Sequence, residues 1–206
     1  LLFKLKTKDY NVKVFGTPWK ERKNFKPLIP HRFFEADEIL PSELCNKFGF
    51  KYSRVESVQE IQTDDYILIG GAGIIPEKIT KTKKIINSHP AYLPYVRGLD
   101  SLKWAIYYNK PIGVTTHIIS GETDTGWLIK KKLVPIYPWD TFHSVAYRQY
   151  ELEIKMLANS VHDLETAKLE PLSNKESIPH RRMPNELELK LLDKLTKIIS
   201  KKNNNQ

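Results

Sequence analysis

Asn87 and His89 stand two residues apart where the apolar pair Ile85-Ile86 gives way to the stiff, aromatic stretch "NSHPAYLPYVRG" (87–98). In an extended chain residues i and i+2 point to the same side, so both side chains can face one pocket. An imidazole exchanges protons near neutral pH, and a carboxamide N–H can donate to a developing oxyanion. A carboxylate from another loop would orient the imidazole and stabilise its cation. Asp124, in "SGETDTGWLI" (120–129), lies on a Gly-flanked turn between two apolar segments, where it can reach inward. The same residues also fit plainer roles. Asn-Ser-His-Pro is an ordinary strand-ending turn, and Asp124 suits a hairpin. Residue type alone leaves both readings open.

Other chemistries find less support. "GGAGII" (70–75) lacks the Lys and Ser/Thr of a phosphate-cradling loop and does not match the dinucleotide fingerprint. His117, inside an alternating segment, reads as a satisfied, partly buried histidine. The six histidines (31, 89, 117, 143, 162, 180) show no paired spacing with a carboxylate, and Cys45 stands alone, so no metal site is expected. No G-x-S-x-G occurs, and Cys45 falls on an apolar helix face, which argues against a serine or cysteine nucleophile.

The elements that would position Asn87, His89 and Asp124 alternate between strand and helix. "NVKVF" (11–15) predicts a strand, and "PSELCNKFG" (41–49) a helix opened by Pro and closed by Gly. "DYILIGG" (65–71) predicts a strand buried on both faces of a parallel sheet, "IIPEKI" (74–79) a helical turn, and "KIINSH" (84–89) a second buried strand. "LDSLKWAIYYN" (99–109) has helical spacing, while 113–119 and 126–136 read as strands that pair with each other. Residues 139–161 form the longest helical pattern, with Asp140 as N-cap. A polar connector (162–184) leads to a terminal helix with a capping-box pattern at Asn185 and Glu188 and an apolar face at Leu189, Leu192 and Ile199. That face packs on its own domain or on another copy of the chain, so a homodimer is one expected arrangement. The class is α/β: a Rossmann-like, largely parallel sheet flanked by helices, with a C-terminal helical extension. Ligands of such sheets collect at the carboxyl ends of strands, which is where Asn87 and His89 lie.

The formal charge is +9, yet residues 1–32 and 171–206 together carry +11 and residues 33–170 carry −2. A neutral centre between basic ends suits a solvated surface better than a polyanion channel, so nucleic acid is not an expected partner. No window approaches 18 uncharged apolar residues, no signal peptide is read in "LLFKLKTKDY", and the single cysteine points to a cytoplasmic location. The sequence opens at Leu1 on what reads as the end of a helix, so it is expected to begin inside a longer protein.

Four motifs in order, "INSHPAYLPYVRG" (86–98), "LDSLKWAI" (99–106), "PIGVTTHII" (111–119) and "TDTGWLI" (123–129), resemble in sequence and spacing the catalytic half of the folate-dependent formyltransferases. That superfamily includes glycinamide ribonucleotide transformylase, methionyl-tRNA formyltransferase and the N-formyltransferases of nucleotide-linked amino sugars; the match is close over about 60–160. The resemblance implies a catalytic domain over 1–162 that lacks the family's first strand, followed by a connector and amphipathic helix over 163–206. It implies 10-formyltetrahydrofolate as formyl donor, and Asn87, His89 and Asp124 as catalytic residues. It also implies a pteridine pocket at Gly73, Ile74, Ile75, Gly121 and Thr123. "AYLPYVRG" and Trp104 look most like the sugar enzymes. The acceptor is therefore expected to be a nucleotide-linked amino sugar of surface glycans, shaped on that side by Tyr95, Arg97 and Trp104. The alternatives are glycinamide ribonucleotide, methionyl-tRNA, or a non-catalytic folate-binding relative.

Overall fold

A computed structural model describes residues 1–18, 26–31, 39–71, 73, 75–172 and 177–203. In chain order the elements are α1 (Leu2–Lys6), β1 (Lys13–Gly16), α2 (Pro41–Phe48), β2 (Lys51–Arg54), β3 (Ile67–Leu68), α3 (Glu77–Thr80) and β4 (Ile85–His89). Then follow β5 (Arg97–Gly98), α4 (Ser101–Tyr107), β6 (Gly113–Ile119), β7 (Gly126–Leu133), α5 (Phe142–Thr166), β8 (Glu170–Leu172), β9 (Pro179–His180), α6 (Asn185–Glu188) and α7 (Leu191–Asn203).

The α/β class, the flanking helices and the helical C-terminus are as the sequence predicts. The main sheet has the order β3-β4-β6-β7-β8 and is mixed: β3 and β4 run parallel, and the remaining pairs are antiparallel. Parallel pairing recurs in the two small sheets, β1-β2 and β5-β9. The antiparallel part follows from the β6-β7 hairpin, since a short connection can only reverse the chain. β3 is shorter and more exposed than the apolar run 65–71 implied, because it lies at the sheet edge with one neighbour. Within the hairpin, Thr116 faces Lys130 but His117 faces Leu128, so Ile129 is an extra residue, a β-bulge.

α5 lies across the sheet. Its Leu157 packs with Ile86 and Ile129, while Phe142 and Val145 join Leu102 and Ile106 of α4 and Leu191 and Leu195 of α7 in the larger core. Buried Gln149 of α5 donates Nε2–H to the carbonyls of Pro90 and Gly113, both at 2.9 Å, and so fixes the end of β4 to the start of β6. The N-cap of α5 is Thr141, not Asp140: Thr141 and Ser144 exchange side-chain and backbone hydrogen bonds, and Asp140 instead pairs with Arg148.

The expected boundary at 162/163 falls inside α5, and the segment beyond it is more than a connector: β8 extends the main sheet and β9 pairs with β5. The terminal helix is two helices. Pro184 is the N-cap of α6 with no side-chain capping bond, and Glu188, read as half of a capping box, is buried against Lys103. The break between α6 and α7 rotates the apolar face, so Leu191 and Leu195 are buried while Leu189 and Leu192 are exposed.

Candidate functional site

β4 and β6 place Asn87 opposite His117 and His89 opposite Thr115. Directly opposed residues of an antiparallel pair share a face, so the amide and both imidazoles lie on one side of the sheet. α5 packs through Ile86 on the other side. His89 is buried, and its Nδ1 lies 3.3 Å from Oδ1 of Asp124. The second oxygen, Oδ2, accepts the Gly98 N–H at 2.6 Å. Asp124 sits in the β6-β7 turn at φ 52°, a left-handed conformation that short polar residues tolerate. The turn is internally braced, with the Ser120 and Thr125 hydroxyls 2.5 Å apart and Thr125 donating to the Glu122 carbonyl at 3.1 Å.

Burial lowers the His89 pKa below its ordinary 6.5; the Asp124 carboxylate works against this and Arg97 adds to it. The net direction favours a neutral ring. Nε2, the ring nitrogen that does not face Asp124, is buried without a hydrogen-bond partner. His117 repeats the pattern. Its Nδ1 donates to the Thr125 carbonyl at 3.0 Å, its Nε2 is also unpartnered, and burial, followed by the proximity of His89, lowers its pKa to about 4. Sequence reasoning expected a satisfied histidine at 117. The missing signal was the register that sets it opposite Asn87, although the i+2 relation to Thr115 within one strand was readable.

The loops expected to hold a pteridine do approach each other. A side chain at Gly121 would overlap Glu77 at the start of α3, so the Asp124 turn and the segment after "GGAGII" are in contact. At Gly73, no described atom lies within 4 Å of where a Cβ would stand, which leaves that backbone accessible. Ile75 is half-buried, and Ile74 lies outside the described residues. The Thr123 carbonyl is already taken by Arg97. Among the described residues no cluster of His, Cys, Asp and Glu is arranged to hold a metal ion.

The residues expected on the acceptor side divide. Tyr95 is 38% exposed and stacks on Tyr92, with ring centroids 6.3 Å apart. Arg97 and Trp104 are 3% and 7% exposed, and neither offers its polar group to a ligand. Arg97 donates Nε–H to the Thr123 carbonyl and Nη1–H to the Ser177 carbonyl, both at 3.1 Å. Trp104 donates to the Arg181 carbonyl at 2.9 Å and stacks on His180. An arginine and a tryptophan near a strand-end loop look alike in sequence whether they face a ligand or a segment some eighty residues downstream.

Residues 9–161 match the family model described as Formyl transferase. The chain belongs to that family. The chain is 35% identical to the methionyl-tRNA formyltransferase of Koribacter versatilis over 128 residues, 61% of this chain and 40% of that protein. It is 29% identical to the phosphoribosylglycinamide formyltransferase of Bacillus subtilis over 139 residues, 66% of this chain and 69% of that one. The match to the methionyl-tRNA enzymes of Nostoc and Trichlorobacter lovleyi spans only 34% and 40% of their length. Among solved structures, a sugar N-formyltransferase from a Shewanella species is 26% identical with a TM-score of 0.54, over 70% of this chain and 61% of that one. The formyltransferase PseJ from Anoxybacillus kamchatkensis, in complex with UDP-4,6-dideoxy-4-formamido-L-AltNAc and tetrahydrofolate, shares the fold. It has 20% identity and a TM-score of 0.61, over 91% of this chain and 97% of that one. Among the described residues, no helix is long and apolar enough to cross a membrane.

Proposed function

We propose that this formyl transferase moves a formyl group from 10-formyltetrahydrofolate to the amine of a nucleotide-linked amino sugar, with Asn87, His89 and Asp124 as its catalytic residues. The observation that carries the reading is the His89–Asp124 contact beside Asn87: a buried imidazole held through Nδ1, with Nε2 unpartnered. The folate supplies a one-carbon unit at the formyl level, and Gly73, Ile74, Ile75, Gly121 and Thr123 are the residues that would hold it.

The chain's own groups then divide the work. The Asn87 amide donates N–H to the formyl oxygen as charge develops there. His89, kept neutral by burial, takes the proton of the attacking amine on Nε2 and gives it to the donor nitrogen as the carbon–nitrogen bond to the folate breaks, so that tetrahydrofolate leaves and the ring is neutral again. Asp124 stabilises the imidazolium so formed without itself being protonated.

A sugar acceptor, destined for surface glycans, is supported by the likeness to the Shewanella sugar enzyme and by the exposed ring of Tyr95 on the acceptor side. The second reading, glycinamide ribonucleotide, is favoured by the Bacillus subtilis relative, which is matched over about two thirds of both chains. Full-length protein incubated with 10-formyltetrahydrofolate and a panel of amino-sugar nucleotides, glycinamide ribonucleotide and methionyl-tRNA separates these readings. Mass spectrometry should show one carbonyl unit gained on a nucleotide sugar. Gain on glycinamide ribonucleotide alone establishes the second reading. Folate binding with no gain on any amine refutes catalysis.

A further inference from the structure

We propose that residues 177–183 form a strap that holds Asp124 against His89, with Arg97 as the positioning residue through which the strap acts; this rests on the catalytic roles proposed above. Asp124 stands at the tip of a hairpin, so its place against His89 depends on what braces that tip. Two groups do so from outside the hairpin. The Gly98 N–H binds Oδ2 of Asp124, and the Arg97 Nε and Nη2 groups bind the carbonyl of Thr123, the residue before it.

Both donors belong to β5, a strand of two residues whose strand partner among the described residues is β9. Arg97 pairs with Pro179 and Gly98 with His180, and the Leu99 N–H adds a hydrogen bond to the His180 carbonyl at 2.9 Å. The approach is so close that any side chain at Gly98 would collide with the His180 backbone. The strap is anchored along its length. The Ser177 hydroxyl donates to the Pro94 carbonyl at 2.7 Å, the Arg181 carbonyl accepts from Trp104, and the Met183 N–H donates to Asp100 at 3.0 Å.

Arg97 joins the two sides, one edge of its guanidinium on Thr123 and the other on the Ser177 carbonyl. A planar fork makes such a bridge, and a lysine point charge cannot. The family match ends at residue 161, so the strap is supplied by a part of the chain outside the matched region.

The test uses two variants of the full chain, Arg97→Lys and His180→Ala. His180 stacks on Trp104 from the strap and is not in the His89–Asp124 pair, so His180→Ala remains informative if the buried Arg97 substitution disturbs folding. The readouts are the NMR titration of the His89 ring, kcat and KM in formyl transfer, and calorimetric binding of tetrahydrofolate. In Arg97→Lys the cation is retained while Asp124 is released. The His89 pKa should therefore fall, the acid limb of the pH profile should move down with it, and kcat should drop about ten- to a hundredfold, with tetrahydrofolate binding weakened by less because the same turn carries Gly121 and Thr123. His180→Ala should shift the His89 titration in the same direction by less. An unchanged His89 titration and kcat in both variants overturns the strap. A shifted titration in a protein whose parent transfers formyl to no amine leaves the strap standing and removes the catalytic reading instead.

Discussion

Two buried acid–base pairs can be set side by side, Lys103–Glu188 between α4 and α6 and His89–Asp124 between β4 and the β6-β7 turn. The first is saturated. Glu188 Oε1 binds Lys103, and Oε2 accepts the N–H groups of Leu28 and Ile29 at 2.7 and 2.9 Å. The second is left open on one side: Asp124 has both oxygens engaged, but His89 Nε2 has no partner, and among the described residues the Asn87 amide beside it makes no hydrogen bond. A buried polar group with every partner in place fixes structure. One with an unused atom, as in the proposed catalytic pair, is open to a partner that arrives.

The comparison breaks if the two pairs respond alike to mutation. Glu188→Ala leaves the Lys103 ammonium and two backbone N–H groups uncompensated, and should lower unfolding free energy by about 3–5 kcal/mol in denaturant titrations. Turnover per folded molecule should be retained. Asn87→Ala and His89→Ala should do the reverse, each lowering kcat by about 10²–10³ with unfolding midpoints close to the parent. Retention of formyl transfer within a few-fold would remove both from the mechanism.

A smaller effect sharpens the contrast through pH. Each region holds a histidine that burial lowers from 6.5 to about 4, half-buried His31 near Lys103 and buried His117 beside His89. Below pH 6.5 the unfolded chain takes up protons that the folded chain refuses. The contribution is therefore fully present above that pH and is lost as pH falls toward about 4. Stability measured across this window should fall with a slope to which both groups contribute, and His31→Phe or His117→Gln should each remove a share of it. Equal slopes in parent and variants would show that these rings titrate normally.

Much of the scaffold was legible because it is local. Pro41 and Gly49 mark the ends of α2, and alternation in 113–119 and 126–136 marks the hairpin strands. Asn87, His89 and Asp124 were legible as an ordered set, and the structure brings His89 and Asp124 together. What escaped was set by distant partners. Glu188 fits a capping box in its own neighbourhood, yet its counter-ion is 85 residues away. Arg97 and Trp104 suggest a ligand wall until the strap is seen to occupy their donors. At α5 the misreading was one position, because Asp140 and Thr141 are both good caps and only the backbone shows which N–H groups are within reach.

The bulge at Ile129 also bears on where the hairpin points. It adds one unpaired residue while the pairing on either side continues, so 126–128 keep the faces set by 117–119. What the extra residue changes is direction, because a bulged strand bends and twists more strongly. Two strands that leave the sheet straight at Thr116 and Lys130 are thus re-aimed before they reach the turn that carries Asp124 to His89.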